Sequence, residues 1–345
     1  MSSWPRWGLV FGAALIAVSV GACWDLGRRS DEGGSPGAVT ASAAGDACEP
    51  VRGRVAIPER NGRIAIGGYA NLVAVGEGYV WVPVADAALP ERVTLLRIDP
   101  ISGAVARWPY RGSSEVRVRT GAGAVWLADP QTRELTRIDV ATGRRVATQP
   151  FGTRRGPREF AVGAGAVWLV PERGGDLAVG DLRNGHVRRR IRTGVSTIGD
   201  VAPAGRSVWL STAGPPAVIR LDARTGRRLG RPVRVGATAL DIEATPERAW
   251  VDLGDEDTLI GVVTDAPAPD LRAANGGTVF AIALGFGSVW ATNYGSDTVT
   301  RLDASSGEPI GEPIPTGADP KGIAVGMGAV WVANAGECTL SRIAP

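Results

Sequence analysis

Ile323-Ala-Val-Gly-Met-Gly-Ala-Val-Trp331 decides the architecture, because the stretch recurs along the chain. Close copies are Val73-Ala-Val-Gly-Glu-Gly-Tyr-Val-Trp81, Phe160-Ala-Val-Gly-Ala-Gly-Ala-Val-Trp168 and Ile282-Ala-Leu-Gly-Phe-Gly-Ser-Val-Trp290. Each reads as an apolar strand, a Gly-x-Gly hairpin turn and a second strand ending on tryptophan. A two-residue hairpin needs positive φ, which glycine adopts without a steric cost. Looser copies put tryptophan at 126, 209 and 250, so the seven repeat tryptophans are spaced by 45, 42, 41, 41, 40 and 41 residues. Several short strands repeating near every 40 residues mark propeller blades, and the 3.6-residue rhythm of a helical solenoid is absent.

The remainder of each repeat fits a four-stranded blade. A third strand carries an apolar-Arg-apolar-Asp pattern, as in Leu96-Arg-Ile-Asp99, Thr136-Arg-Ile-Asp139, Ile219-Arg-Leu-Asp222 and Thr300-Arg-Leu-Asp303. An Asx-type turn closed by glycine follows, such as Asp139-Val-Ala-Thr-Gly143, and leads to an outer strand. The seventh repeat reaches residue 345 after its third strand, while an orphan strand, Gly62-Arg-Ile-Ala-Ile66, precedes the first. The expected fold is therefore all-β, a seven-bladed β-propeller over residues 51–345 closed by an N-terminal strand completing the last blade. Closure removes the sheet edges that an open array would expose. Cys48 precedes the orphan strand and Cys338 opens the third strand of blade seven, so a disulfide across the junction is expected in an oxidising compartment. Blade five diverges most: Ala266-Pro-Ala-Pro-Asp270 replaces the Asp-Gly turn, and an irregular excursion is expected there.

Residues 1–23 carry Arg6, an apolar run from Leu9 to Val20, and then Gly21-Ala22-Cys23. The run has the length of a signal-peptide core and is short for a membrane span. Val20-Gly21-Ala22-Cys23 resembles a bacterial lipobox, which implies export and a lipid on Cys23; the alternatives are a simply cleaved signal or an uncleaved anchor with an incidental cysteine. Residues 24–50 are rich in Gly, Ala and Ser without apolar period, the composition of a flexible tether. The 38 basic and 35 acidic residues leave a net charge of +3, so no global field argues for nucleic acid.

Counting back nine residues from each tryptophan reaches the start of the innermost strand, at the mouth of the central channel. Four successive blades place a charge there: Arg117, Glu159, Asp200 and Asp241. Three residues after the tryptophan come Asp129, Asn293 and Asn334, assigned to the same mouth, with Arg119, Glu243 and Lys321 nearby. One reading is a net-acidic funnel for a polar ligand or a divalent cation. The other is a wet channel whose charges pair with one another. A second acidic loop, Asp252-Leu-Gly-Asp-Glu-Asp257, lacks the ligand order of an EF-hand and reads as a solvated loop. Runs of arginine, such as His186-Val-Arg-Arg-Arg-Ile-Arg192 and Arg224-Thr-Gly-Arg-Arg228, fall on outer strands and the turns before them.

The repeated AVGxGxVWxxN…VxRID…TG pattern resembles the YncE-like and virginiamycin B lyase-like seven-bladed propellers over roughly residues 60–345. The second resemblance implies a metal-assisted lyase with a histidine general base. This chain has one histidine, His186, in a hairpin on the face opposite the proposed mouth. No Ser-His-Asp set can assemble at the mouth without another histidine, and no HExxH or cysteine metal motif is present. The expectation is an extracytoplasmic, lipid-anchored propeller acting as a non-catalytic binding or scaffold module, with no resident cofactor. Its partners would be the membrane and a protein or small-molecule ligand; the lyase is the alternative.

Overall fold

A computed structural model describes residues 48–86, 89, 91–151, 157–254, 257–263, 266, 268–275 and 277–345. Cys23 and the segment read as signal and tether up to residue 47 lie outside the described residues, as do parts of the acidic loop at 255–256 and of the blade-five excursion. The described chain forms seven four-stranded antiparallel sheets and, among the described residues, no helix. Six sheets take four consecutive strands each, hydrogen-bonded in chain order. In the seventh, Gly62–Ala65 pairs with Thr339–Ile343, the third strand after Pro320–Gly326 and Ala329–Asn334. The orphan strand therefore completes the last blade, with Gly62 opposite Arg342 and Ala65 opposite Thr339.

The tryptophans explain the period. Each lies on the second strand of its blade, is at most 2 % exposed, and packs against the inner strands of the next blade. Trp168 meets Ile198, Val201, Val208 and Leu210 of blade four, and Trp331 meets Val80, Val82 and Leu96 of blade one. Seven apolar clusters thus fill the seven interfaces between neighbouring blades. Truncating a buried indole of this kind typically costs about 3–5 kcal/mol.

The Gly-x-Gly turn works differently from the expectation that its two glycines supply positive φ. The left-handed pair is the middle residue and the second glycine: Glu77 (φ 55°) with Gly78 (86°), and Met327 (51°) with Gly328 (74°). The first glycine answers two other demands. Its carbonyl accepts the indole N–H, as from Trp81 to Gly76 (3.0 Å), Trp168 to Gly163 (2.9 Å) and Trp290 to Gly285 (3.1 Å). It also lies against the next blade, so that a Cβ on Gly285 would stand 2.3 Å from Val325 and one on Gly326 2.7 Å from Val75. The two blades with Ala204 and Thr245 at this position are those whose indoles lose the bond. Trp250 donates instead to Ala304 O (3.2 Å), and Trp209 Nε1 has no partner among the described residues.

Gly285→Ala is accordingly expected to cost about 1–3 kcal/mol by overpacking, while Gly295→Ala, with open space around it, stays near neutral. Parallel thermal melts of the two variants check this.

The ring junction is held at several points. Cys48 and Cys338 form a disulfide with Cα atoms 5.2 Å apart. The chain then runs along the outer strand of blade one, with Arg54 bridged to Ala104, Val55 N donating to Gly103 O and Arg107 donating to Val51 O. Arg63 and Glu337 form a surface ion pair, and Arg342 donates to the carbonyls of Glu59 and Arg60. Residues 48–345 therefore carry the seven sheets and these ties between the two ends of the ring.

Candidate functional site

The innermost strands of blades three to seven break register near their starts: between Pro157 and Glu159, Ile198 and Val201, Ala239 and Ile242, Val279 and Ile282, and Pro320 and Ile323. Such a bulge releases a residue from the ladder and re-aims its side chain. Ser211 and Thr292, two residues after their tryptophans, pin two of these bulges and join them to the next blade. Ser211 Oγ accepts from Asp200 N (2.8 Å) and donates to Leu240 O (2.7 Å). Thr292 Oγ1 accepts from Ala281 N (3.1 Å) and donates to Lys321 O (3.0 Å). Position-by-position reading for charge passes over both hydroxyls; their recurrence at one offset was the available signal.

The bulges and the plain inner strand of blade two bring Arg117, Arg119, Glu159, Asp200, Asp241 and Glu243 together. Arg117 Nε binds Glu159 Oε1 at 2.7 Å, and Arg119 approaches Glu159 Oε2 at 3.6 Å. Asp200 is 6 % exposed, and its Oδ1 accepts from Val201 N (2.7 Å). Asp241 accepts from Ile242 N (3.1 Å) and from Ile282 N of the next blade (2.7 Å).

Asp200 and Asp241 also hydrogen-bond to each other through their carboxyls. Burial, then the neighbouring charges of Asp241 and Glu159, hold the Asp200 carboxyl well above its ordinary range. Asp241 is raised by burial, against the opposing pull of the hydrogen bonds from Asp200 and Ile282 N. Glu243, two residues along the same strand and so on the same face, is pushed to about 7 by burial and by Asp241. For Arg119, burial works against the charge, but Glu159, Asp200, Asp241 and Glu243 outweigh it and raise the guanidinium. The arrangement is a ring segment of donors and acceptors, with one carboxyl pair in contact across the seam between blades four and five.

Beside it lies an aromatic ledge. Phe280 and Tyr294 of blade six are 42 % and 39 % exposed, with ring centroids 6.2 Å apart. Lys321 Nζ stands 5.6 and 5.7 Å from the two rings and donates to Asn71 Oδ1 at 3.2 Å. The ledge begins two residues before Ile282, whose amide binds Asp241.

The residues expected three positions after the tryptophan serve their own blades. Asp129 is fully buried and accepts from Ser113 N (2.6 Å), Gln131 N (2.8 Å) and Thr132 N (3.1 Å). Asn293 donates to Thr298 and Thr300, both at 2.9 Å, and is hydrogen-bonded to Asn275. Asn334 donates to Thr339 (2.8 Å) and Ser341 (3.0 Å). Asp129 caps the turn after its strand, and Asn293 and Asn334 tie the second strand of their blades to hydroxyls of the third. His186 is exposed in the outer hairpin of blade three. Among the described residues no three or more His, Cys, Asp or Glu side chains are arranged to hold a metal ion. A cleft of about 530 Å³ opens between the N-terminal strap and blade one, lined by Pro50, Val84, Pro109 and Tyr110 among others. The converging carboxyls stand on the innermost strands of three neighbouring blades, and we take them as the candidate site.

No protein-family model matches the chain, and no curated protein matches its sequence. Solved structures do match in fold. Virginiamycin B lyase from Staphylococcus aureus aligns with a TM-score of 0.65 at 16% identity, covering 79% of this chain and 94% of that one. A catalytically inactive form of that lyase with quinupristin gives 0.65 at 15% identity, over 84% and 97%. Hydrazine synthase from Kuenenia stuttgartiensis gives 0.65 at 13% identity, over 80% and 95%. At these identities the likeness shows the fold, a seven-bladed β-propeller of the virginiamycin B lyase-like shape, and leaves activity to the residues of the chain itself.

Proposed function

We propose that this chain is an exported propeller, lipid-anchored at Cys23, that works as a non-catalytic binding module at the mouth of its channel. The observation that carries the reading is the convergence of Glu159, Asp200, Asp241 and Glu243 from three neighbouring blades around Arg119. Placing charged groups together out of bulk water is costly unless they are paired or used, and channel mouths and clefts of this kind are the usual ligand sites of a scaffold. The acceptors of Asp241 and Glu243 suit a cationic or hydrogen-bond-donating group, and the Phe280–Tyr294 ledge suits a flat apolar face next to it. The ligand is accordingly a small polar molecule with an amino or guanidino group and an apolar body. Export is supported by the signal-like segment and by the Cys48–Cys338 bridge, which persists in oxidising compartments.

Calorimetric titration of the ring with amines and guanidines bearing apolar groups tests the binding role. Asp241→Asn is expected to weaken the best binder by tenfold or more, as roughly 1.5–3 kcal/mol attends a lost charge-assisted bond. A best binder equally tight on both proteins removes the mouth as its site. Cys23→Ala is expected to move the protein from the membrane fraction into the medium or leave an unprocessed precursor; unchanged lipid labelling of that variant rejects the anchor.

A further inference from the structure

The charge of this chain is unevenly spread. Residues 176–235 hold twelve arginines against four aspartates, a net of +8, in a chain whose total is +3. Most of the excess lies on the outer edge of two adjacent blades. The outer strand of blade three, Val187–Arg192, reads VRRRIR, and that of blade four, Arg228–Arg234, reads RLGRPVR. The two edges abut: Arg189 Nη2 donates to Ala223 O (2.8 Å) in the hairpin of blade four, and Arg228 Nη2 donates to Thr193 O (2.5 Å) at the end of the blade-three strand. They form one continuous surface.

Protection of sheet edges against pairing explains a charge on an outer strand, but it would apply to every blade. The outer strands Val105–Tyr110, Arg145–Pro150 and Leu271–Ala274 carry one arginine each, and Ile314–Pro315 carries none. The strands of blades three and four carry four and three. Three of these seven arginines are used internally, Arg188 by Asp181 and Arg189 and Arg228 by carbonyls of the neighbouring blade; the other four are not. Arg190, Arg192, Arg227, Arg231 and Arg234 are exposed, and none has an ion pair or side-chain hydrogen bond among the described residues. Of the four aspartates, Asp200 stands on an innermost strand, Asp181 pairs with Arg188, Asp222 is occupied by the backbone and hydroxyl of Thr225, and Asp176 stands opposite Arg192 in the ladder, which leaves most of the excess uncompensated.

From this we infer that the outer rim of blades three and four docks on an anionic phospholipid surface. Guanidinium forks bind phosphate oxygens in pairs and are weakly hydrated, which suits a headgroup layer. Each basic residue near such a surface contributes about a fivefold gain in partition, and the field reaches only about a Debye length. The choice of bilayer over another polyanion rests on the anchored reading, in which a lipid on Cys23 is followed by 24 residues before Cys48. An anchored ring would then meet headgroups continually.

The test uses the ring without its anchor, residues 48–345 with the Cys48–Cys338 bridge intact, so that its failure is separate from any failure at Cys23 or at the channel. Co-sedimentation is measured with phosphatidylcholine vesicles, with and without phosphatidylglycerol, at low and high salt. Binding is expected to require phosphatidylglycerol, to fall with salt, and to drop more than about a hundredfold in Arg190→Gln/Arg192→Gln/Arg231→Gln/Arg234→Gln. A control lacking two exposed arginines elsewhere, Arg60→Gln/Arg111→Gln, is expected to bind within a few-fold of the parent. Thermal melts confirm that both variants are folded. Equal partition onto neutral and anionic vesicles, undiminished binding by the quadruple variant, or capture only by heparin or duplex DNA would each overturn the inference.

Discussion

Replacing both Cys48 and Cys338 by alanine is expected to lower the melting temperature of the ring by roughly 10 °C. The bridge spans 290 residues of sequence, and closing so long a loop removes much of the freedom of the unfolded chain. In the chain-entropy treatment the gain grows slowly with loop length and reaches about 5–6 kcal/mol for a loop of this size, an upper bound on what the bridge delivers. For a domain of this size each kcal/mol shifts the midpoint by about 2–4 °C. The other ties at the junction are weaker. The closing strand pairs over four residues, and the Arg63–Glu337 pair is 3.3 Å long with Arg63 half exposed, worth about 0–1 kcal/mol. Arg63→Ala should therefore move the midpoint by no more than about 2 °C. Calorimetry of oxidised, reduced and double-alanine protein measures this directly. Midpoints within about 2 °C of one another would mean that blade packing alone holds the ring.

The second large effect is a pH dependence opposite to that of most carboxylate-rich proteins. Glu243 titrates near 7 in the folded protein, against an ordinary value of 4.5, and Asp200 and Asp241 are raised as well. Between the unfolded and folded values the native state holds more protons, so stability is withdrawn as pH rises through that window. The ring should be more stable at pH 5 than at pH 8, by on the order of 1–3 kcal/mol. The turn aspartates set the lower limit. Asp303 is held at about 2 by hydrogen bonds from the Ser305 hydroxyl and the Ser306 and Ser305 amides, and Asp139 and Asp222 are lowered by the hydroxyl and amide of Thr142 and Thr225. Their contribution is complete above the unfolded value near 4 and is lost as pH falls toward 2. Chemical denaturation across pH 3 to 9 should thus show a maximum near 5. Glu243→Gln should flatten the alkaline side and leave the acid side as it was; an alkaline limb that Glu243→Gln does not change would place its cause outside the channel.

Much of this was legible in the sequence because repetition converts position into place. The tryptophan period gave the number of blades, the orphan strand gave the closure, and counting back nine residues found Arg117, Glu159, Asp200 and Asp241. What counting could not supply was direction at a strand end. Asp129, Asn293 and Asn334 share one offset and one polar character, yet Asp129 turns to free amides of the turn that follows it, and Asn293 and Asn334 turn to the third strand, where the hydroxyls of Thr298, Thr300, Thr339 and Ser341 await. The bulges were also hidden, since an extra residue in one strand shows only against its partner's register. The same holds for the first glycine of each turn, whose requirement is set by Thr120, Val325 or Val75 of the neighbouring blade.

Native mass spectrometry of the ring isolated from its exported form tests whether the channel mouth binds a ligand. The expected result is a retained small polar molecule, present on the parent protein and absent after Asp200→Asn/Asp241→Asn. A bare mass for the parent, or the same adduct on parent and variant, would contradict it and leave a wet channel whose charges merely pair with one another.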